Sequence, residues 1–176
     1  MADERVRGAK VYGVATVPKN THTPAIFNVI WDSDGYFRPT IDNGVLTIPR
    51  PRRRGRYQIR VAVRWMNPWG LAGGTLPAFE DFSKMNYYTC ITVNDSLLGN
   101  EARATAAPVL AATGTTQYFA VDENLGLGDS VGVRLWQSVG DDVMANVFLE
   151  IRRLGPRASA LTTSATGPSD SASDTG

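Results

Sequence analysis

Three consecutive segments between residues 115 and 154 alternate apolar and other side chains with a period of two, and this pattern restricts the chain more than any other. Residues 117–121 form the first. Residues 130–137 form the second, with Val131, Val133 and Leu135 in phase and Gly132 and Arg134 out of phase. Residues 143–151 form the third, with Val143, Ala145, Val147, Leu149 and Ile151 in phase. Side chains alternate across a strand and repeat every 3.6 residues on a helix, so the pattern predicts strands with one buried face. Residues 122–129 (DENLGLGD) separate the first two strands as a Gly-rich bend.

The same period recurs upstream. In residues 57–65 (YQIRVAVRW), Tyr57, Ile59, Val61, Val63 and Trp65 face one way, and Gln58, Arg60, Ala62 and Arg64 the other. That is the pattern of an antiparallel strand with one wet face. Residues 10–17 predict a first strand ended by Pro18. Residues 25–31 predict a second, with Phe27, Val29 and Trp31 on one face. Asp32-Ser33-Asp34-Gly35 is turn chemistry. Asp42-Asn43-Gly44 predicts a tight hairpin, because Asn and Gly tolerate positive φ, and residues 45–48 leave it as a strand. Residues 87–93 form another strand, closed by a turn at Asn94-Asp95. Residues 101–114 are Ala-rich and interrupted by Pro108, which disfavours a long helix; they read as an irregular strand with loops. Residues 66–86 are a long loop carrying Trp69, Phe79 and Phe82. Many short strands with turns at intervals, and no amphipathic helix, predict an all-β sandwich or barrel.

Composition removes several function classes. Eighteen Lys and Arg against 17 Asp and Glu leave a net charge of +1, which argues against a general nucleic-acid binder. Cys90 is the single cysteine, so no intrachain disulfide can form. His22 is the single histidine, which leaves no His cluster for a metal and no pattern supporting a nucleophilic triad. No cofactor is expected. The start MADERVRG has no apolar run, so no signal peptide is expected, and no stretch has the length of a membrane helix. Residues 155–176 hold almost nothing to bury and read as a flexible tail.

Taken in order, short motifs resemble the globular head of complement C1q, the sister fold of tumour necrosis factor. Ala25-Ile26-Phe27-Asn28 resembles that family's apolar-apolar-Phe-Asp/Asn strand. Asp34-Gly35-Tyr36-Phe37 resembles its Gly-x-Tyr/Phe turn. Val45-Leu46-Thr47-Ile48-Pro49 followed by Gly55-x-Tyr57 is similar to its Phe-Thr-x-Pro…Gly-x-Tyr signature. Ile91-Thr92-Val93-Asn94 and Leu127-Gly128-Asp129-Ser130-Val131 resemble its later strand end and bend, and residues 145–151 take the place of its closing strand. The chain departs from the family in its Arg-rich loop after Pro49, in the insertion 66–86, and in Phe148-Leu149-Glu150 where a glycine is usual. The resemblance implies an antiparallel jelly-roll β-sandwich of about ten strands over residues 10–154, with an arm at 1–9 and a tail at 155–176. It further implies a compact homotrimer in which aromatic and aliphatic side chains of one sandwich face pack around a threefold axis. Tyr118, Phe119, Trp136 and Phe148 are the residues expected in that packing or in the core beside it.

Two further groups stand out. Arg50, Arg52, Arg53, Arg54 and Arg56 repel one another within seven residues; they form either a solvated loop or an anion contact. The near-neutral chain favours a protein partner for them, with Trp69 in the neighbouring insertion as a second contact candidate. Some C1q-like heads bind calcium, and Asp32 and Asp34 supply two carboxylates of the kind a hard cation takes. The same is true of Asp129 and of Asp141-Asp142. Asp-Ser-Asp-Gly is also an ordinary turn, which is the reading preferred here.

These features favour a non-enzymatic, trimeric structural or binding protein on a virion surface: a capsid decoration protein, or the spike or fibre head of a tailed bacteriophage. The other reading is a free, extracellular C1q-like module that recognises a protein or glycan. A jelly-roll enzyme of the cupin kind would need several metal-binding histidines.

Overall fold

The computed structural model describes residues 7–38, 44–49, 55–66, 84–97, 103–108, 114–139 and 142–155. The hairpin tip at Asp42-Asn43, the loop residues Arg50, Arg52, Arg53 and Arg54, the insertion residues Trp69, Phe79 and Phe82, Asp141 and residues 156–176 of the tail lie outside them. Among the described residues there are eleven strands and no helix.

The strands build two antiparallel sheets. One orders β3 (Asn28–Asp32), β1 (Gly8–Pro18), β11 (Asp142–Gly155), β5 (Gly55–Trp65) and β9 (Thr115–Leu125). The other runs β2 (Thr23–Pro24), β10 (Ser130–Gln137), β6 (Tyr87–Val93) and β7 (Ser96–Leu97), with β4 (Val45–Thr47) also on β10 and β8 (Arg103–Ala106) also on β6. From β1 to β6 and again from β8 to β11 consecutive strands alternate between sheets, while β6, β7 and β8 share one, and the first and last long strands pair at the centre of the five-stranded sheet. This is the expected jelly-roll sandwich.

The period-two pattern maps onto the core directly. Val143, Ala145, Val147, Leu149 and Ile151 of β11, and Tyr57, Ile59, Val61, Val63 and Trp65 of β5, are all buried against Val131, Val133 and Leu135 of β10. Trp65 and Tyr87 stack across the two sheets with ring centroids 4.6 Å apart and planes 11° apart. Gln117 is 4% exposed and sits beside this stack. Its Oε1 accepts from Trp65 Nε1 at 2.8 Å and from the Thr89 hydroxyl. Its Nε2 donates to the carbonyls of Tyr87 (3.2 Å) and Ala104 (3.1 Å). One amide therefore ties β9 to β5, β6 and β8, and its full set of bonds makes a buried polar group tolerable. At the opposite pole Tyr36 and Tyr57 meet edge to face at 6.2 Å.

Two segments differ from the sequence expectation. Residues 25–31 are not one strand. The chain leaves the six-stranded sheet after Pro24, passes Ala25 and Phe27 into the core, and joins the other sheet at Asn28. Val29 and Trp31 are consequently exposed on an edge strand instead of buried together. The strand after Thr115 also runs further than expected, to Leu125. Its pairing with β5 continues to Gly55↔Leu125, and the bend is confined to residues 126–129.

That bend is held by Asp129. Asp129 Oδ2 accepts from Gly126 N at 2.6 Å and Oδ1 from Asn94 Nδ2 at 2.8 Å. Ile48 N donates to the Asp129 carbonyl, and Gly128, at φ 80°, donates back to the Ile48 carbonyl. Asn94 and Asp95 adopt φ 51° and 63° in the β6–β7 turn, the geometry of a type I′ hairpin. The Asn94 amide, followed by the Gly126 N–H, lowers the Asp129 pKa below the usual carboxylate range. A depressed carboxylate pKa stabilises above the unfolded value and is lost as pH falls through the folded one. The group is half-exposed, which discounts the effect. Asp129→Asn should therefore cost about 1 kcal/mol at neutral pH. In denaturant melts the gap to the parent should close below about pH 4; a gap that persists in acid would assign the cost to turn geometry instead.

Candidate assembly face

The two sheets bury one face each and leave one face each outward. On the five-stranded sheet the outward positions fall into register rows. One row reads Tyr12 on β1, Phe148 on β11, Ala62 on β5 and Tyr118 on β9. Phe148 is out of phase with Val147 and Leu149, which are buried, so the alternation that builds the core points Phe148 outward. Tyr118 is 66% exposed and Phe148 38%. The Tyr12 and Phe148 rings lie 4.8 Å apart, and the Tyr12 hydroxyl donates to Asn146 Oδ1 at 3.0 Å. Val14, Met144 and Ile30 add exposed apolar surface beside this row. Two shallow concavities flank Phe148. One, of about 290 Å³, is lined by Lys10, Arg60, Ala62, Tyr118 and Glu150. The other, of about 490 Å³, lies between Tyr12, Ile30, Arg64 and Asn146.

The four aromatic residues singled out in sequence do not form one set. Tyr118 and Phe148 share the outward face just described. Phe119 is on the opposite side of β9, half-buried against the core. Trp136 is on the outward face of the other sheet, directly across from Tyr88 and with its ring centroid 6.5 Å from His22. Tyr12 completes the row on the five-stranded sheet and carried no sequence signal, because only the long-range β1–β11 register places it beside Phe148.

The remaining candidates have ordinary structural partners. Asp32 Oδ1 accepts from the amides of Asp34 (3.1 Å) and Gly35 (2.8 Å), and Oδ2 from Phe37 N (2.9 Å). Ser33 Oγ donates to Asp34 Oδ2 at 3.0 Å. Both carboxylates are thus engaged in the turn. Arg56 is exposed and pairs with Asp122 on the neighbouring β9 at 2.7 Å. Cys90 is buried, its Sγ lies 3.7 Å from the Arg134 carbonyl, and burial pushes its thiol pKa up, the direction of an inert side chain. Among the described residues no three His, Cys, Asp or Glu side chains gather as a metal site.

A solved structure, Eiger TNF from S. frugiperda, superposes on 89% of this chain and 97% of its own with a TM-score of 0.51 at 12% sequence identity. The fold is the jelly roll of tumour necrosis factor. The globular domain of zebrafish complement 1qA aligns at TM-score 0.46 and 11% identity, over 86% of this chain and all of that domain. Murine APRIL aligns at 0.41 and 12%, over 80% of this chain and 98% of its own. No family model and no curated protein match the sequence. At such identities the likeness is one of fold, so the TNF-like jelly roll here must be read from its own surfaces.

Proposed function

We propose that this chain is a non-enzymatic structural and binding protein whose copies form a homotrimer through the outward face of the five-stranded sheet. Its place, in this reading, is a virion surface, as a capsid decoration protein or a spike or fibre head. The observation that carries it is the row Tyr12–Phe148–Ala62–Tyr118 together with exposed Val14, Met144 and Ile30. An exposed aromatic row flanked by further apolar side chains on a small domain marks a surface that another molecule covers, and aromatic residues are enriched at the centres of such surfaces. The TNF-like fold supports a threefold arrangement, since its relatives are expected to use one sandwich face in that way. The virion assignment extends the assembly reading: a jelly roll with one exposed aromatic outer face is suited to packing against copies of itself and against neighbouring coat subunits.

Sedimentation equilibrium of the purified chain tests the assembly. A trimer has three times the 19.1 kDa chain mass, about 57 kDa. Particles released from producing cells and banded by density should then carry the chain in fixed stoichiometry to their coat protein. A trimer that is consistently absent from particles would overturn the virion role and leave the free recognition module in its place.

A further inference from the structure

The centre of the same face is not apolar throughout. Lys10, Glu150 and Arg60 stand side by side in one register row on β1, β11 and β5. Arg152 Nε donates to Glu150 Oε1 at 2.6 Å, whereas Arg60 Nη1 is 3.9 Å from Glu150 Oε2. The Lys10 ammonium lies 5.9 Å from the centroid of the Phe148 ring. One carboxylate therefore serves two guanidiniums in a row that also holds Lys10, and Arg152 holds its closest oxygen. Lys10 and Arg60 edge the concavity of about 290 Å³ whose remaining wall includes Tyr118 and Phe148.

In a monomer, water screens this excess of positive charge. When the face is covered, that screening is withdrawn and uncompensated charge becomes costly. The nearest described carboxylate on β9, Asp122, is already held by Arg56 at 2.7 Å. We propose that this concavity binds an oxyanion (a phosphate, sulfate or carboxylate group) as copies associate, so that assembly is linked to anion concentration. The inference rests on the trimer reading above. A guanidinium presents the flat, forked donor set that matches such anions. Lys10 adds a second charge and Tyr118 a hydroxyl on the same wall.

The test compares the full chain by sedimentation equilibrium in sodium chloride and in sodium phosphate, at matched ionic strength and neutral pH, with inorganic phosphate as the probe. Phosphate should lower the protein concentration of half-assembly by about tenfold, by mass action on the assembled state. Arg60→Gln should abolish that difference while keeping the parent melting profile; Lys10→Gln replaces it if Arg60→Gln does not fold. Equal midpoints in the two salts would overturn the anion site and assign the compensation to carboxylates of the neighbouring copy, with the trimer reading intact. A monomer in both salts would overturn the trimer reading, and this inference with it.

Discussion

Trp65→Ala should lower the stability of the folded chain by about 3–5 kcal/mol, the range for removing a large buried aromatic side chain. Trp65 is fully buried at the end of β5. It fills the space between the sheets by stacking on Tyr87 and gives its indole N–H to Gln117. Truncation leaves a void that the two sheets cannot close, because Gln117 pins them at that pole through the Tyr87 and Ala104 carbonyls. It also leaves the Gln117 oxygen with Thr89 as its remaining side-chain donor. For a domain of this size such a loss corresponds to a fall in Tm of about 10 °C or more, read by circular dichroism or calorimetry. A change of under about 1 kcal/mol would mean that the Trp65–Tyr87 stack is not the fastening of the sandwich.

The second large effect concerns association and should leave the fold alone. Tyr118→Lys places an ammonium at the most exposed position of the aromatic row. The side chain projects into water in the single chain, so the melting midpoint of the monomer should move little. In the trimer the same ammonium would be desolvated beside Phe148, with Lys10 and Arg60 of the same concavity adding like-charge repulsion. Burying it should weaken association at least 100-fold, as central interface positions do. Sedimentation equilibrium would then show a 19.1 kDa species where the parent shows three times that mass. Ala120 lies two residues along the same strand, outside the aromatic row; Ala120→Ser is the matched control and should keep the parent mass. If Tyr118→Lys also keeps it, the copies meet through another surface.

Much of this arrangement is legible in residue order because strand physics is local. The alternation in 57–65, 130–137 and 143–151 names the buried side chains of β5, β10 and β11 without any knowledge of their partners. It also implies that Phe148, lying between Val147 and Leu149, points away from them. What local pattern does not carry is which strands become neighbours. Tyr12 joins Phe148 only through a pairing across more than one hundred residues of chain. Gln117 reads as an ordinary polar strand residue until β6 and β8 are folded over it. Residues 25–31 look like one apolar strand, yet the chain crosses between sheets there, and an apolar run can serve a crossing as well as a strand. Trp136 and Tyr118 look equivalent in sequence; the sheet to which each strand is assigned separates them.

The pairing of β1 with β11 sets how the head can be held. Gly8 lies opposite Arg152 and Pro18 opposite Asp142, so residues 8 and 155 lie at one pole of the central strand pair, while β5 ends with Trp65 at the other. Tension applied between residues 8 and 155 meets the eleven paired positions one after another, like a zipper, and opens them at low force. Tension applied from that shared pole to the far end of the sandwich is borne by all of those pairs in shear. A head anchored by either terminus and loaded at its far end is thus pulled along its strong axis, whereas a linkage between its own two ends would pull along the weak one.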